Sequence, residues 1–494
     1  MQSKVTLLGI VFVTLLLLSF LPNLIPSVSS GTPEQFLTPS SPKDATYIED
    51  IPYVWQEVNG FCHWSCLSMA LQHLGLPLNL YDVFATTGVG FSAVYIHLGN
   101  TRIFVPGSNY RQLYQAHYLE SFLGIDYLVM LDNTTEIGEL LSFSMNVWNL
   151  DYEVITGATE AQTTLCHSLD SGYPLLLWVD PYYLPVHDYD ILRQYNIHSA
   201  DTGSGHAVLA IGYNDTSQHV WIMDPGVGAL GDNVAYPSDG RWHYNISYDD
   251  LALAREPLAF GAIQLATQET IHSIPSAGYP EFIYQRLLGL PIAYELDSIH
   301  PSIVSCGARA FQKLSIDLSP QNLANYLAHL IQEELIIQTL IEQGIQLEQM
   351  LTLQYHSYRT ALHQIQKFIP HRDLSAMIAL GQAAFPHFEA LSTNASLTTF
   401  DHTSYSSLIK DTMWGIAEAY GETGDIYESV QRFSNNLVEI QAHMNGIASS
   451  WKAAGDELQF QVNIILYTPI LLVFFSSFFI AVIVILATIK IWKR

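Results

Sequence analysis

The sequence predicts an α+β domain in its first half and a helical region in its second, on three observations. Between about residues 49 and 270, short β-like runs alternate with loops rich in Gly, Asp and Tyr. One clear helix starts near Cys62, and after about residue 275 apolar side chains recur at three-four spacing. In the first helix the repeating positions are Leu67, Ala70, Leu71 and Leu74, with Gly75 as the stop signal. The clearest β-like runs are Pro174–Val179 and Ala207–Ile211. In the second half, Pro320 to Phe368 carries Leu323, Leu327, Leu330, Ile331, Leu335 and Leu340 on one helical stripe, with Gly344 as its breaker. A second helical block runs from about Ser404 to Leu458, punctuated by Gly421 and Gly424. Together these blocks read as a helical bundle or stalk.

The ends of the chain set its expected location. An apolar run from about Val5 to Leu21, followed by the small residues up to Gly31, has the order of a secretory signal, with an uncleaved N-terminal anchor as the alternative. The run Ile464–Ile489 carries no charge over 26 residues, enough to span ~30 Å of hydrocarbon. Lys490, Lys493 and Arg494 follow it, which puts the C-terminus on the cytoplasmic side and the rest of the chain outside. Sequons at Asn133, Asn214, Asn245 and Asn394 are compatible with that side and with glycosylation. The expected division is 1–30 signal segment, 31–48 linker, 49–270 α+β domain, 275–460 helical domain or stalk, 464–489 transmembrane helix and 490–494 basic tail. A formal charge of −27 repels phosphate backbones, so nucleic acid is not an expected partner.

Chemistry concentrates in two segments. Cys62 falls on the first turn of an amphipathic helix, where unpaired N–H groups and the helix dipole stabilise an anion. That lowers a thiol pKa and makes the sulfur a nucleophile at neutral pH. Gln56, six residues upstream, is placed to contribute its amide to an oxyanion site with the Cys62 N–H. The second segment, Gly205 to Pro225, reads as a hairpin with a polar tip at 214–216. If the tip centres on Asp215, His206 faces Asp224, so that a carboxylate holds the imidazole. The competing structural reading is a Cys62–Cys66 disulfide, with Cys166–Cys306 as a second bridge tying the two halves.

These segments resemble a family. Gln56 and Cys62, with Gly205-His206 and Asp224-Pro225, resemble the papain-like cysteine peptidases that cleave double-glycine leader peptides and their stand-alone relatives. The stretch Gly172–Pro185 is also similar to the N-terminal domain of butirosin-biosynthesis acyltransferases. The resemblance covers about residues 49 to 265, with a continuation near Gly307–Phe311. It implies a papain-like fold, with Cys62 as nucleophile, His206 as base, Asp224 as the orienting residue and Gln56 in the oxyanion hole. The leader peptidases have Gly after the nucleophile where this chain has His63, and the sequence contains no Gly-x4-Gly-Lys loop, so the leader-peptide substrate does not follow.

The expected activity is hydrolysis of a peptide or amide bond through an acyl-enzyme. Transfer of the acyl group to an amine, and a catalytically inactive papain-fold binding module, are the two competing expectations. No cofactor or metal is expected. His187, Asp188, Asp190, His198 and Asp201 match no compact ligand spacing and read as a polar loop on the substrate side.

Overall fold

The computed structural model describes residues 43–98, 101–107, 118–147, 152–199, 205–230, 234–268, 271–272, 278–289, 304–330, 333–398 and 403–492. Among the described residues, eleven strands and the helices between them follow the expected order, strands mostly first and helices after. The strands are β1 (Ala45–Tyr47), β2 (Ala93–Leu98), β3 (Thr101–Pro106), β4 (Ile125–Leu131), β5 (Tyr152–Val154), β6 (Leu175–Val179), β7 (His206–Asn214), β8 (His219–Met223), β9 (His243–Ser247), β10 (Ala262–Thr267) and β11 (Val304–Cys306). The main sheet has the order β5-β4-β10-β6-β7-β8-β9, with β1 added along β7; β11-β2-β3 form a small second sheet. All pairings in the main sheet are antiparallel except β4 with β5.

The central strands are apolar on both faces because both faces are covered. Along β7, Ala207, Leu209 and Ile211 point into one core, while Val208 and Ala210 point into the other. Leu176 on β6 and Ile263 and Leu265 on β10 join the first core; Leu175, Leu177 and Ala262 join the second. Helix α1 (Cys62–His73) lies on the first face, burying Cys66, Leu67, Ala70 and Leu71. It is followed by α2 (Leu80–Thr86), whose N-terminus is closed by a reciprocal capping box between Asn79 and Asp82.

The helical second half is not a separate stalk over the described residues. A single apolar core runs from Phe61 through Phe311, Tyr358 and Trp451 to Val462. The long helix Glu333–Phe368 lies against the turn at 89–91: Phe91 meets Tyr358 edge-on at 6.1 Å, and Gln354 donates to the Gly90 carbonyl at 3.2 Å. Lys367 of that helix reaches Asp82 at 2.7 Å. Trp451, fully buried, packs between Phe311 (5.1 Å) and Tyr358 (4.8 Å).

Several expectations need correction. The helix expected over 320–368 is two helices, Pro320–Ala328 and Glu333–Phe368, and Gly344 lies inside the second without breaking it. In the next block Gly424, in the left-handed region, ends Leu408–Thr423, whereas Gly421 is helical. Residues 45–47, placed in a linker, form β1, because Gly212 on β7 leaves room for the Thr46 carbonyl, which would lie 2.7 Å from a Cβ there. Neither disulfide of the competing reading forms: all four thiols are free, which leaves Cys62 available as the expected nucleophile. Cys166 sits on the helix Gly157–Asp170, and Cys306 sits on β11 beside β2. Among the described residues no helix is long and apolar enough to cross a membrane. The expected signal segment 1–30 lies outside the described residues, as do the side chains of the expected span 464–489.

Candidate active site

The helix bearing Cys62 begins at Cys62 itself, after Phe61 as N-cap. Phe61 offers no side-chain acceptor and the first turn holds no acid, so nothing on the helix competes for its N-terminal N–H groups. The backbone N–H groups of His63 and Ala207 and the His206 side chain face the Cys62 sulfur and favour its charged form. Burial alone would raise this thiol's pKa. The facing His206 charge and hydrogen bond, with the two backbone donors, more than offset burial and hold it below the ordinary 9.0. Cys66, one turn further on, is fully buried with its S–H toward the Ala207 carbonyl at 3.5 Å, and burial pushes its pKa up.

His206 is the first residue of β7 and Asp224 follows the end of β8. Nε2 of His206 lies 2.7 Å from an Asp224 carboxylate oxygen. That leaves Nδ1 as the ring atom available to the thiol. Asp224 is fully buried and accepts four hydrogen bonds: from His206, from the Tyr244 hydroxyl at 2.9 Å, from the Gly226 N–H at 2.8 Å and from the Tyr189 hydroxyl at 3.1 Å. Burial would lower the His206 pKa, but the Asp224 carboxylate and the Cys62 sulfur raise it further, to about 10. Both shifts favour the charged forms, thiolate on Cys62 and imidazolium on His206.

The two residues meet, but not through the register expected. Leu209 pairs with Met223 and Asn214 with His219, with an irregularity between Ala210 and Gly212. The tip holds four residues, 215–218, instead of a turn centred on Asp215. His206 and Asp224 are diagonal neighbours on one face. A shift of two residues keeps a side chain on its face, so the contact survives the error in register.

Gln56 is 1% exposed and its N–H donates to the Pro225 carbonyl at 3.2 Å. Tyr53 and Trp55 stitch the same segment to the Asp224 loop, through the Asp224 carbonyl at 3.1 Å and the Val227 carbonyl at 2.9 Å. Gln56 and His206 line one cleft, together with Asn59, Asp180, Tyr189 and Gly226. His63, the neighbour of Cys62, is held by burial at a pKa of about 4 and so is neutral at pH 7.

Sequence reasoning missed Tyr189, Tyr244 and Gly226. A lone Tyr in a loop or on a strand carries no signal. Gly226 had one, since it directly follows Asp224-Pro225: a Cβ there would meet His206 Cε1 and the Tyr189 hydroxyl at 2.6 Å each. The polar loop residues serve separate contacts. His187 bonds Asp190, Asp188 pairs with Arg241, and His198 contacts Asp180 at 3.3 Å; Asp201 lies outside the described residues. Among the described residues no three His, Cys, Asp or Glu side chains are grouped to hold a metal.

Residues 48–250 match the family described as Peptidase_C39 like. The match supports a C39-type, papain-like peptidase domain over this part of the chain. The C39-like segment contains all four candidate residues, Gln56, Cys62, His206 and Asp224, and ends before the helical half begins. A crystal structure described as a C39-like peptidase from Bacillus anthracis is similar at 14% identity and a TM-score of 0.25, over 46% of this chain and 99% of that one. No curated protein matches.

Proposed function

We propose that this chain is a cysteine hydrolase that cleaves amide bonds of peptides through an acyl-enzyme. The carrying observation is His206, which faces the Cys62 sulfur and lies with Nε2 2.7 Å from buried Asp224. In this reading the Cys62 thiolate attacks the substrate carbonyl, and the oxyanion is held by the Cys62 N–H and the Gln56 amide. The His206 imidazolium gives its proton to the departing amine, leaving a thioester on Cys62. Water, losing a proton to His206, then hydrolyses the thioester to a carboxylic acid and restores the thiolate–imidazolium pair.

The test is a peptide library analysed by mass spectrometry, with Cys62→Ala as the blank. Cleavage that disappears in Cys62→Ala is expected; no reaction with any peptide or amide would favour a binding module instead. Acyl transfer to an amine is the second reading, favoured by the Gly172–Pro185 stretch, whose Asp180 and Pro181 line the cleft. Adding a primary amine separates the two, since transfer gives an amide product and hydrolysis an acid.

The proposal also places the domain outside the cytoplasm, anchored through residues 464–489, on the strength of their uninterrupted apolar sequence and the basic residues after it. Alkaline carbonate washing should leave the chain in the membrane pellet, and release into the wash would contradict the anchor.

A further inference from the structure

Between β6 and β7 the chain makes a long polar excursion, and one residue of it reaches the His206–Asp224 pair. Tyr189 is 1% exposed. Its hydroxyl lies 3.1 Å from each carboxylate oxygen of Asp224 and 3.1 Å from Nε2 of His206. A phenol has one proton to donate. With the Nε2 proton directed at Asp224, the phenol proton goes to the carboxylate, and the phenol oxygen faces the imidazolium N–H.

The turn that carries Tyr189 is braced from outside. Asp188, the residue before it, pairs with Arg241 and accepts the Gly228 N–H at 2.6 Å. Gly228 belongs to the loop that leaves Asp224, so Asp188 ties the excursion to the segment carrying the carboxylate. On the other side Arg193 donates to the carbonyls of Tyr182, Leu184 and Val186 and closes the excursion on itself.

We propose that Tyr189, braced by the Asp188–Arg241 pair, is a positioning residue that fixes Asp224 against His206 and moderates the charge the imidazolium feels. The proposal rests on the Cys62–His206–Asp224 reading above. The other titratable groups facing the pair are Cys62 and Cys66 from α1, Tyr53 from the N-terminal segment and Tyr244 from β9. By donating to Asp224, the phenol disperses carboxylate charge. Without the hydroxyl more charge remains on Asp224, and the imidazolium holds its proton to higher pH.

The experiment is a pH titration of the His206 ring by NMR on the full chain with nitrogen-labelled histidine, the signal assigned by its loss in His206→Ala. Tyr189→Phe keeps the ring and removes the hydroxyl. Its His206 titration should move up by about one unit, the size of a lost hydrogen bond to a charged group. Arg241 is 43% exposed, outside the core, so Arg241→Gln should fold, and it should move the titration the same way by less. A titration unmoved in Tyr189→Phe would overturn the positioning role, even if thermal stability fell. A wild-type titration in Arg241→Gln would overturn the bracing. Wild-type His206 titrating near the ordinary 6.5 would instead sink the triad reading itself.

Discussion

Cys62 and His206 depend on each other for their ionisation. The imidazolium holds the thiol down and the thiolate, with Asp224, holds the imidazole up. A profile of kcat/KM against pH should therefore be bell-shaped, with an acid limb set by Cys62 and an alkaline limb set by His206. Asp224→Asn removes a charge that raises the His206 pKa, so the alkaline limb should move down toward 6.5. The rate should fall by about a hundredfold or more, as the ring loses the acceptor that orients it. Gly226→Ala should also be nearly inactive, because its methyl group would lie 2.6 Å from His206 Cε1. Steady-state assays with any peptide the enzyme cleaves check both. At this scale the sequence was most informative: the placing of Cys62 at a helix mouth follows from apolar spacing alone. Tyr189 and Tyr244 were not legible, because a tyrosine near a carboxylate is a property of the folded chain.

The hairpin and the long helix show where local pattern stops being informative. Period-two alternation keeps a residue on its face through a two-residue slip, so His206 and Asp224 meet although the register expected for them does not hold. The pattern does not count the residues in a turn or reveal an irregularity such as that at Ile211, so their register was not legible. The helix Glu333–Phe368 carries a buried carboxyl group. Glu348 is fully buried, accepting the Thr393 N–H at 3.0 Å and the Tyr405 hydroxyl at 2.9 Å, and burial raises its carboxyl to about 7. The folded chain then binds this proton between about 4.5 and about 7, where the unfolded chain has released it. Stability should fall as pH rises through that window, and Glu348→Gln should flatten the dependence. Urea midpoints measured across the window test this. Gly90→Ala tests the docking of the same helix. Its Cβ would lie 2.5 Å from the Ser357 carbonyl, and a loss of about 1–3 kcal/mol is expected.

Across the whole molecule, a shift from strand-like to helical pattern near residue 275 suggested two separable bodies. Amphipathic spacing says that a helix buries one face, but not against what. Here the helices bury it against α2 and the turn at 89–91, so the C39-like segment shares its core with residues well beyond it. Trp451→Ala should accordingly cost about 3–5 kcal/mol. It should lower the unfolding midpoint seen at Cys62 together with that seen by circular dichroism, in one transition. Two separate transitions, with the Cys62 probe unmoved, would show the halves to be independent. The shared core in turn holds α1 against β7, and so sets the sulfur beside the imidazole. That ion pair is tested most directly by ultraviolet titration of thiolate absorbance in the wild type minus Cys62→Ser. A Cys62 thiolate appearing below pH 9.0, and lost in His206→Ala, is the predicted result; a thiol titrating at or above 9.0 in both proteins would contradict it.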